Sequence, residues 1–136
     1  MIQIVIPFDP VPWAAPKLGR SGYAYDIREK DKRAIRYLTR QQYNKEPLKG
    51  PIGLSFEFFF SIPKSFSKKK RADAMADRIV PTKCDCTNLQ KLYEDCLKNI
   101  VIEDDRNVFT ILSQKRYAQK PAVIIEVYSK GEYQCE

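Results

Sequence analysis

Between Lys83 and Asp105 the chain concentrates groups that can handle a phosphate ester: Lys83, Asp85, Thr87, Asn88, Lys91, Glu94 and Asp95, then Glu103, Asp104 and Asp105. Carboxylates brought together repel one another unless a divalent cation neutralises them. A hard cation such as Mg²⁺, with Mn²⁺ as a substitute, can orient a water and stabilise charge on a phosphate. A lysine beside it can stabilise the pentacovalent transition state or the leaving oxygen. The chain has no histidine. That excludes Ser-His-Asp and Cys-His nucleophilic chemistry and any nuclease built on a histidine base. The five glycines, at 19, 22, 50, 53 and 131, are scattered and form no phosphate loop.

The elements around this cluster decide whether its members meet. Leu89, Leu92, Tyr93, Cys96, Leu97 and Ile100 fall at i, i+3, i+4, i+7, i+8 and i+11, which predicts an amphipathic helix. Its other face carries Asn88, Lys91, Glu94 and Asp95, with Asp85 at its entrance. Asp104 and Asp105 come just before a predicted strand. If that helix and strand pack side by side, Asp85 converges with one or both of Asp104 and Asp105. Ordinary readings stand beside this one. Asp85 or Thr87 can be a helix cap. Lys91 and Asp95 can be a surface pair worth about 0.3–0.5 kcal/mol. Glu103-Asp104-Asp105 can be a solvated turn. On residue types alone, the ordinary readings carry more weight.

The rest of the chain supplies the frame. Ile2, Ile4, Ile6 and Phe8 alternate as a first strand. Pro7, Pro10, Pro12 and Pro16 then argue against regular structure to about residue 25, in a loop carrying Trp13, Lys17, Arg20, Tyr23 and Tyr25. Asp26 with Glu29 reads as a capping box for a helix to about Lys45. Its stripe would be Ile27, Ala34, Ile35 and Leu38, among many basic residues. Ile52, Leu54, Phe56, Phe58 and Phe60 make the clearest strand. A helix capped by Ser67 follows, with Ala72, Met75, Ala76 and Ile79 inward and Pro81 as its stop. Residues 108–117 and 123–128 read as two strands, and Ala118-Gln119-Lys120-Pro121 suggests a hairpin between them. The order is β-α-β-α-α-β-β in one domain, residues 1–136.

Composition is globular, with 43% hydrophobic and 30% charged residues. No apolar run is long enough for a membrane span. The first residues read as a strand and not as a signal peptide, so the expected compartment is the cytoplasm. That setting makes disulfides among Cys84, Cys86, Cys96 and Cys135 unexpected. Without histidine or a second cysteine pair, Cys84-Asp85-Cys86 lacks the ligands of a zinc site. A net charge of +7 favours a polyanionic partner. Lys64, Lys68, Lys69, Lys70 and Arg71 lie just before the acidic cluster, and with Lys17, Arg20 and Lys83 they are the candidate phosphate contacts. Phe66 and Tyr23 are candidates for stacking on unpaired bases. The ordinary alternatives are a solvated helix start for the lysine run and a core position for Phe66.

Several of these segments, in this order, resemble the RusA family of Holliday junction resolvases. They are the Pro-rich start through Arg20, Gly22-Tyr23-Ala24-Tyr25, Pro47 through Ile52, and Pro63 through Arg71. Residues Thr82 through Lys91 are similar to the family's Lys-Pro-Asp-x-Asp-Asn-Leu-x-Lys core. Asp95-Cys96-Leu97 resembles its Asp-Ala-Leu element, Asp104 through Val108 its Asp-Asp-x-Gln-Val element, and Lys115 follows at the usual distance. The resemblance implies an α+β fold with a mixed four-stranded sheet and helices mainly on one face. It implies a homodimer, matched to the two-fold symmetry of a four-way DNA junction, and a Mg²⁺-dependent endodeoxyribonuclease of recombination and repair, with a prophage setting. It places Asp85 and Asp105 at metal-binding catalytic positions, Lys91 at the catalytic lysine, and Asp104, the other member of the acidic pair, as a further candidate metal ligand.

This chain departs from that core in two places. Cys84 stands where the family has proline. Thr87 stands where it has a second aspartate, and threonine is a neutral, poor ligand. Asp95 or Glu94 can compensate. The rival readings are a junction-binding protein with weakened or lost catalysis, and an RNA-binding module built on residues 13–25.

Overall fold

The computed structural model describes residues 1–132; Cys135 lies outside the described residues. Four strands, β1 (Ile2–Ile6), β4 (Ile52–Ser61), β5 (Val108–Ala118) and β6 (Ala122–Ser129), form a mixed sheet in the order β1-β6-β4-β5. Three helices accompany it: α1 (Glu29–Gln42), α2 (Lys68–Met75) and α3 (Cys86–Leu97). The fold is α+β, as the sequence indicates. No helix of the described residues is long and apolar enough to cross a membrane.

Strict alternation in β4 drives the core. Ile52, Leu54, Phe56, Phe58 and Phe60 are buried, while the residues between them, except Gly53, stay half-buried. Each fully buried large side chain contributes roughly 1.5–3 kcal/mol of transfer free energy. Against this face pack Leu89, Leu92, Tyr93, Cys96 and Leu97 of α3, all buried. The stripe in α3 is therefore the one its spacing predicts, with Ile100 buried just past the helix end.

Four expectations need correction. First, β5 and β6 are not a hairpin. β4 lies between them, antiparallel to β6 and parallel to β5. The short link at 119–121 passes the end of β4, whose phenylalanines need neighbours on both sides. Second, the Pro-rich loop contains a two-stranded ribbon, β2 (Lys17–Leu18) with β3 (Ala24–Tyr25). Gly22, at φ +83, lies in the turn that lets it reverse.

Third, Asp26 does not cap α1. The cap position is Arg28, without a side-chain bond, and the helix ends at Gln42. Asp26 instead accepts from Arg28 N at 2.8 Å and from Lys32 Nζ at 2.7 Å. Of the predicted stripe, Ile35 is buried, joined by Thr39, and Ala34 is exposed. Fourth, α2 ends at Met75, well before Pro81, and its buried residue is Ala74; Met75 is exposed. Asp77, at φ 58, breaks the helix. The Ser67 cap is present: its side chain accepts from Lys70 N.

Candidate functional site

Asp85 is the N-cap of α3, its Oδ1 accepting from Asn88 N at 2.7 Å. The cap reading of this residue is thus correct, and it fixes the carboxylate at the positive end of the helix dipole. The preceding loop is tied to the sheet by Lys115, whose Nζ donates to the Cys84 carbonyl at 2.8 Å. Thr87 is exposed one turn before Lys91.

β5 runs back along α3. Lys115 reaches Cys84, Ser113 Oγ donates to Gln90 Oε1 at 3.2 Å, and Asp105, ahead of the strand, lies with Oδ1 3.7 Å from Lys98 Nζ. Gln90 in turn donates to Glu94 Oε2 at 3.5 Å. Asp85 and Asp105 therefore flank opposite ends of a helix about 18 Å long. Within one chain the structure does not bring them together. Among the described residues no group of three or more Cys, Asp and Glu side chains is placed to hold one metal ion.

The carboxylates separate by environment. Asp104 is bound by Arg106, through Nη2 at 2.8 Å and Nε at 3.0 Å, and also accepts from Arg106 N at 2.9 Å. These bonds hold its pKa far below the ordinary range and cap a 3₁₀ turn at Asp105–Asn107. Asp104 already has the Arg106 guanidinium as its cation, which makes it less available as a metal ligand. Glu94 is the opposite case: burial raises its pKa, and the negative charge of Asp105 adds to the rise. Asp95 turns the other way, toward Lys32 of α1.

The side chains offer the donor type a hard cation takes: carboxylate oxygens, of which Mg²⁺ commonly uses one or two while keeping waters and substrate phosphates. Glu94 feels the charge of Asp105, and Asp85 stands apart at the start of α3.

Lys91 projects from the exposed face of α3, between Thr87 and Glu94, with its Nζ 3.6 Å from the centre of the Trp13 ring. This partner is not legible in the sequence, because a Pro-rich loop gives no periodic signal for where its tryptophan lands.

Of the basic candidates, Lys64, Lys68, Lys69, Lys70, Arg71 and Lys83 are all exposed, as are Lys17 and the ribbon turn at Arg20. The two aromatic candidates differ. Phe66 packs edge-on against Tyr117 at 5.5 Å under the Lys70 ammonium, so it is a packed residue. Tyr23 is 79% exposed at the ribbon, beside exposed Leu18 and Tyr25. Cys84 and Cys86 are half-buried and Cys96 is buried, all free thiols.

These features define a basic α+β domain with a parallel edge strand and oxygen-donor carboxylates around one exposed lysine-bearing helix. The chain belongs to the RusA endodeoxyribonuclease family, which it matches over residues 7–128. It is also similar to the uncharacterized protein YqaN of Bacillus subtilis (strain 168), 30% identical over 94 residues, 66% of each chain.

Proposed function

We propose that this chain, as one domain over residues 1–136, is a structure-selective endodeoxyribonuclease that cuts four-way DNA junctions as a homodimer. The observation that carries the reading is the placement of Lys91. It stands exposed on α3 between Asp85 at the helix start and the Glu94–Asp105 pair toward its end. Family membership supplies the reaction class.

In this reading Asp85, Asp105 and Glu94 hold divalent cations, Mg²⁺ first and Mn²⁺ as a substitute. The bound metal supplies a polarised water and charge neutralisation at the phosphate. Lys91 donates to the phosphate oxygens as charge builds on them. Asp104 fixes the turn that presents Asp105. Lys64, Lys68, Lys69, Lys70, Arg71 and Lys83, with Lys17 and Arg20 of the ribbon, hold the DNA backbone. Tyr23 stacks on an unpaired base at the branch point. Two-fold pairing of protomers matches the junction's symmetry and answers the separation of Asp85 from Asp105, because a second copy can supply the missing carboxylate to each site.

The test is cleavage of a labelled four-way junction with Mg²⁺, with Mn²⁺ and with chelator. Paired nicks that require metal support the reading. Tight junction binding without cleavage under any metal favours the catalytically weakened binding protein, for which Thr87 is the sequence argument. Preference for single-stranded RNA over the junction favours the RNA-binding module built on residues 13–25.

A further inference from the structure

We propose that Trp13 is the positioning residue for Lys91, an inference that rests on the nuclease reading above. The segment carrying Trp13 is fastened to its surroundings by three hydrogen bonds. Val11 N donates to the Tyr93 hydroxyl at 3.1 Å, Trp13 N donates to the Asn88 carbonyl at 2.9 Å, and Arg28 Nε donates to the Pro12 carbonyl at 3.0 Å. Two of these grip α3 at positions on either side of Lys91. Pro10 and Pro12 remove backbone freedom from the same stretch.

The result is an indole whose face lies 3.6 Å from Lys91 Nζ, well inside the distance at which an aromatic ring attracts an ammonium. The ring itself is half-buried and packs against the core. Among the described residues no carboxylate lies within ion-pair distance of Lys91. Lysine is a point charge on a flexible four-carbon stem, so an unpartnered one samples many directions. An acidic partner would fix it but cancel the charge a phosphate needs. The π face fixes the ammonium and leaves its positive charge in place. For a group whose contribution depends on alignment, that is the arrangement that helps most.

The experiment compares Trp13→Phe, which keeps a ring face, with Trp13→Leu, which keeps apolar bulk without one. Three quantities are read: single-turnover cleavage at saturating protein, junction Kd, and the NMR shifts of the Lys91 methylenes in the DNA-free protein. Wild type and Trp13→Phe should show ring-shifted Lys91 methylenes, and Trp13→Leu should lose that shift. Cleavage should fall roughly tenfold in Trp13→Leu and be largely restored in Trp13→Phe, with Kd changed less than about twofold. A Leu variant with wild-type cleavage, or with unchanged Lys91 shifts, overturns the proposal. So does equal loss in both variants, which marks a packing role only. If the wild type cuts no junction, the nuclease reading fails, while the shifts alone decide whether Trp13 holds Lys91.

Discussion

Lys32 Nζ lies 3.7 Å from Asp95 Oδ2, and the same ammonium is hydrogen-bonded to Asp26. The bond to Asp26 raises the lysine's pKa, and Asp95 adds to the rise, so Lys32 stays charged at any physiological pH. Asp95 is therefore engaged with α1, while its neighbour Glu94 points to the Asp105 side of α3.

On the proposed nuclease reading, that relationship leaves Glu94 rather than Asp95 free to compensate for Thr87. Glu94→Gln should raise the Mg²⁺ concentration for half-maximal cleavage by roughly tenfold or more, since a ligand is lost. Asp95→Asn should change it little. Thr87→Asp should lower it only slightly, because Glu94 already supplies a charge. A metal titration of cleavage in the three variants checks this. A dead Asp95→Asn beside an active Glu94→Gln would reverse the assignment.

Asp85→Asn and Asp105→Asn should each abolish cleavage while leaving junction binding intact or tighter, since each removes a negative charge facing phosphate. Asparagine caps helices as well as aspartate, so Asp85→Asn should fold normally. Because α3 separates the two positions within one chain, mixing the two dead variants should restore nicking. A heterodimer then carries one site with both carboxylates intact. A mixture as inactive as its components would mean that each site is built within a single chain.

Replacing Lys68, Lys69, Lys70 and Arg71 together by Ala should flatten the salt dependence of junction binding. The log–log slope should fall by up to about 3.6 if all four touch phosphate. Lys70 lies over the Phe66 ring, and Arg71 donates to the Pro63 carbonyl at 3.4 Å, so both also support local packing. Thermal melts of the variant separate that contribution. An unchanged slope would move the DNA surface elsewhere, with the Lys17–Arg20 ribbon the next place to look.

What could be read from the sequence follows physical range. The α3 stripe and the β4 alternation are local periodicities, and both stand as predicted. The place of β5 beside β4 is a long-range choice, and a short link suggested the wrong partner. Asp26 has a capping residue's chemistry, but Lys32 six residues on offered a stronger partner than the helix end. Phe66 and Tyr23 look alike as exposed-loop aromatics. Only packing separates them: Phe66 lies edge-on against Tyr117, while Tyr23 is largely exposed. The Asp85–Asp105 convergence presumed neighbouring ends of helix and strand, whereas antiparallel packing of α3 on β5 puts them at opposite ends.

Gly53 marks a close approach on the opposite face of the sheet. A Cβ there would lie 2.3 Å from Tyr128 Cε2 and 2.9 Å from Thr110 Cγ2. Gly53→Ala should destabilise the protein by about 1–3 kcal/mol, since the strand cannot move away from the ring. Adding Tyr128→Ala should recover less than the full loss but make the two changes non-additive. Denaturant midpoints of the single and double variants measure this, and simple additivity would rule out the contact.

Alkaline pH should weaken the fold through Cys96. Burial in the α3 core pushes its thiol up to about 11 from an ordinary 9.0. The folded state therefore favours the neutral thiol, while the unfolded chain ionises freely. The stability this represents is fully present below pH 9 and is lost as pH rises from 9 through 11, up to about 3 kcal/mol for a two-unit rise. Tyr93, whose hydroxyl burial also raises, and half-buried Cys84 act in the same direction. Cys96→Ala should lower stability by about 1–2 kcal/mol at neutral pH through the small cavity it leaves. Its loss of stability between pH 8 and 10.5 should nevertheless be shallower than wild type, with the remainder due to Tyr93 and Cys84. Urea midpoints across that range give the slopes directly. Parallel curves for the two proteins would show that the thiol does not titrate against folding.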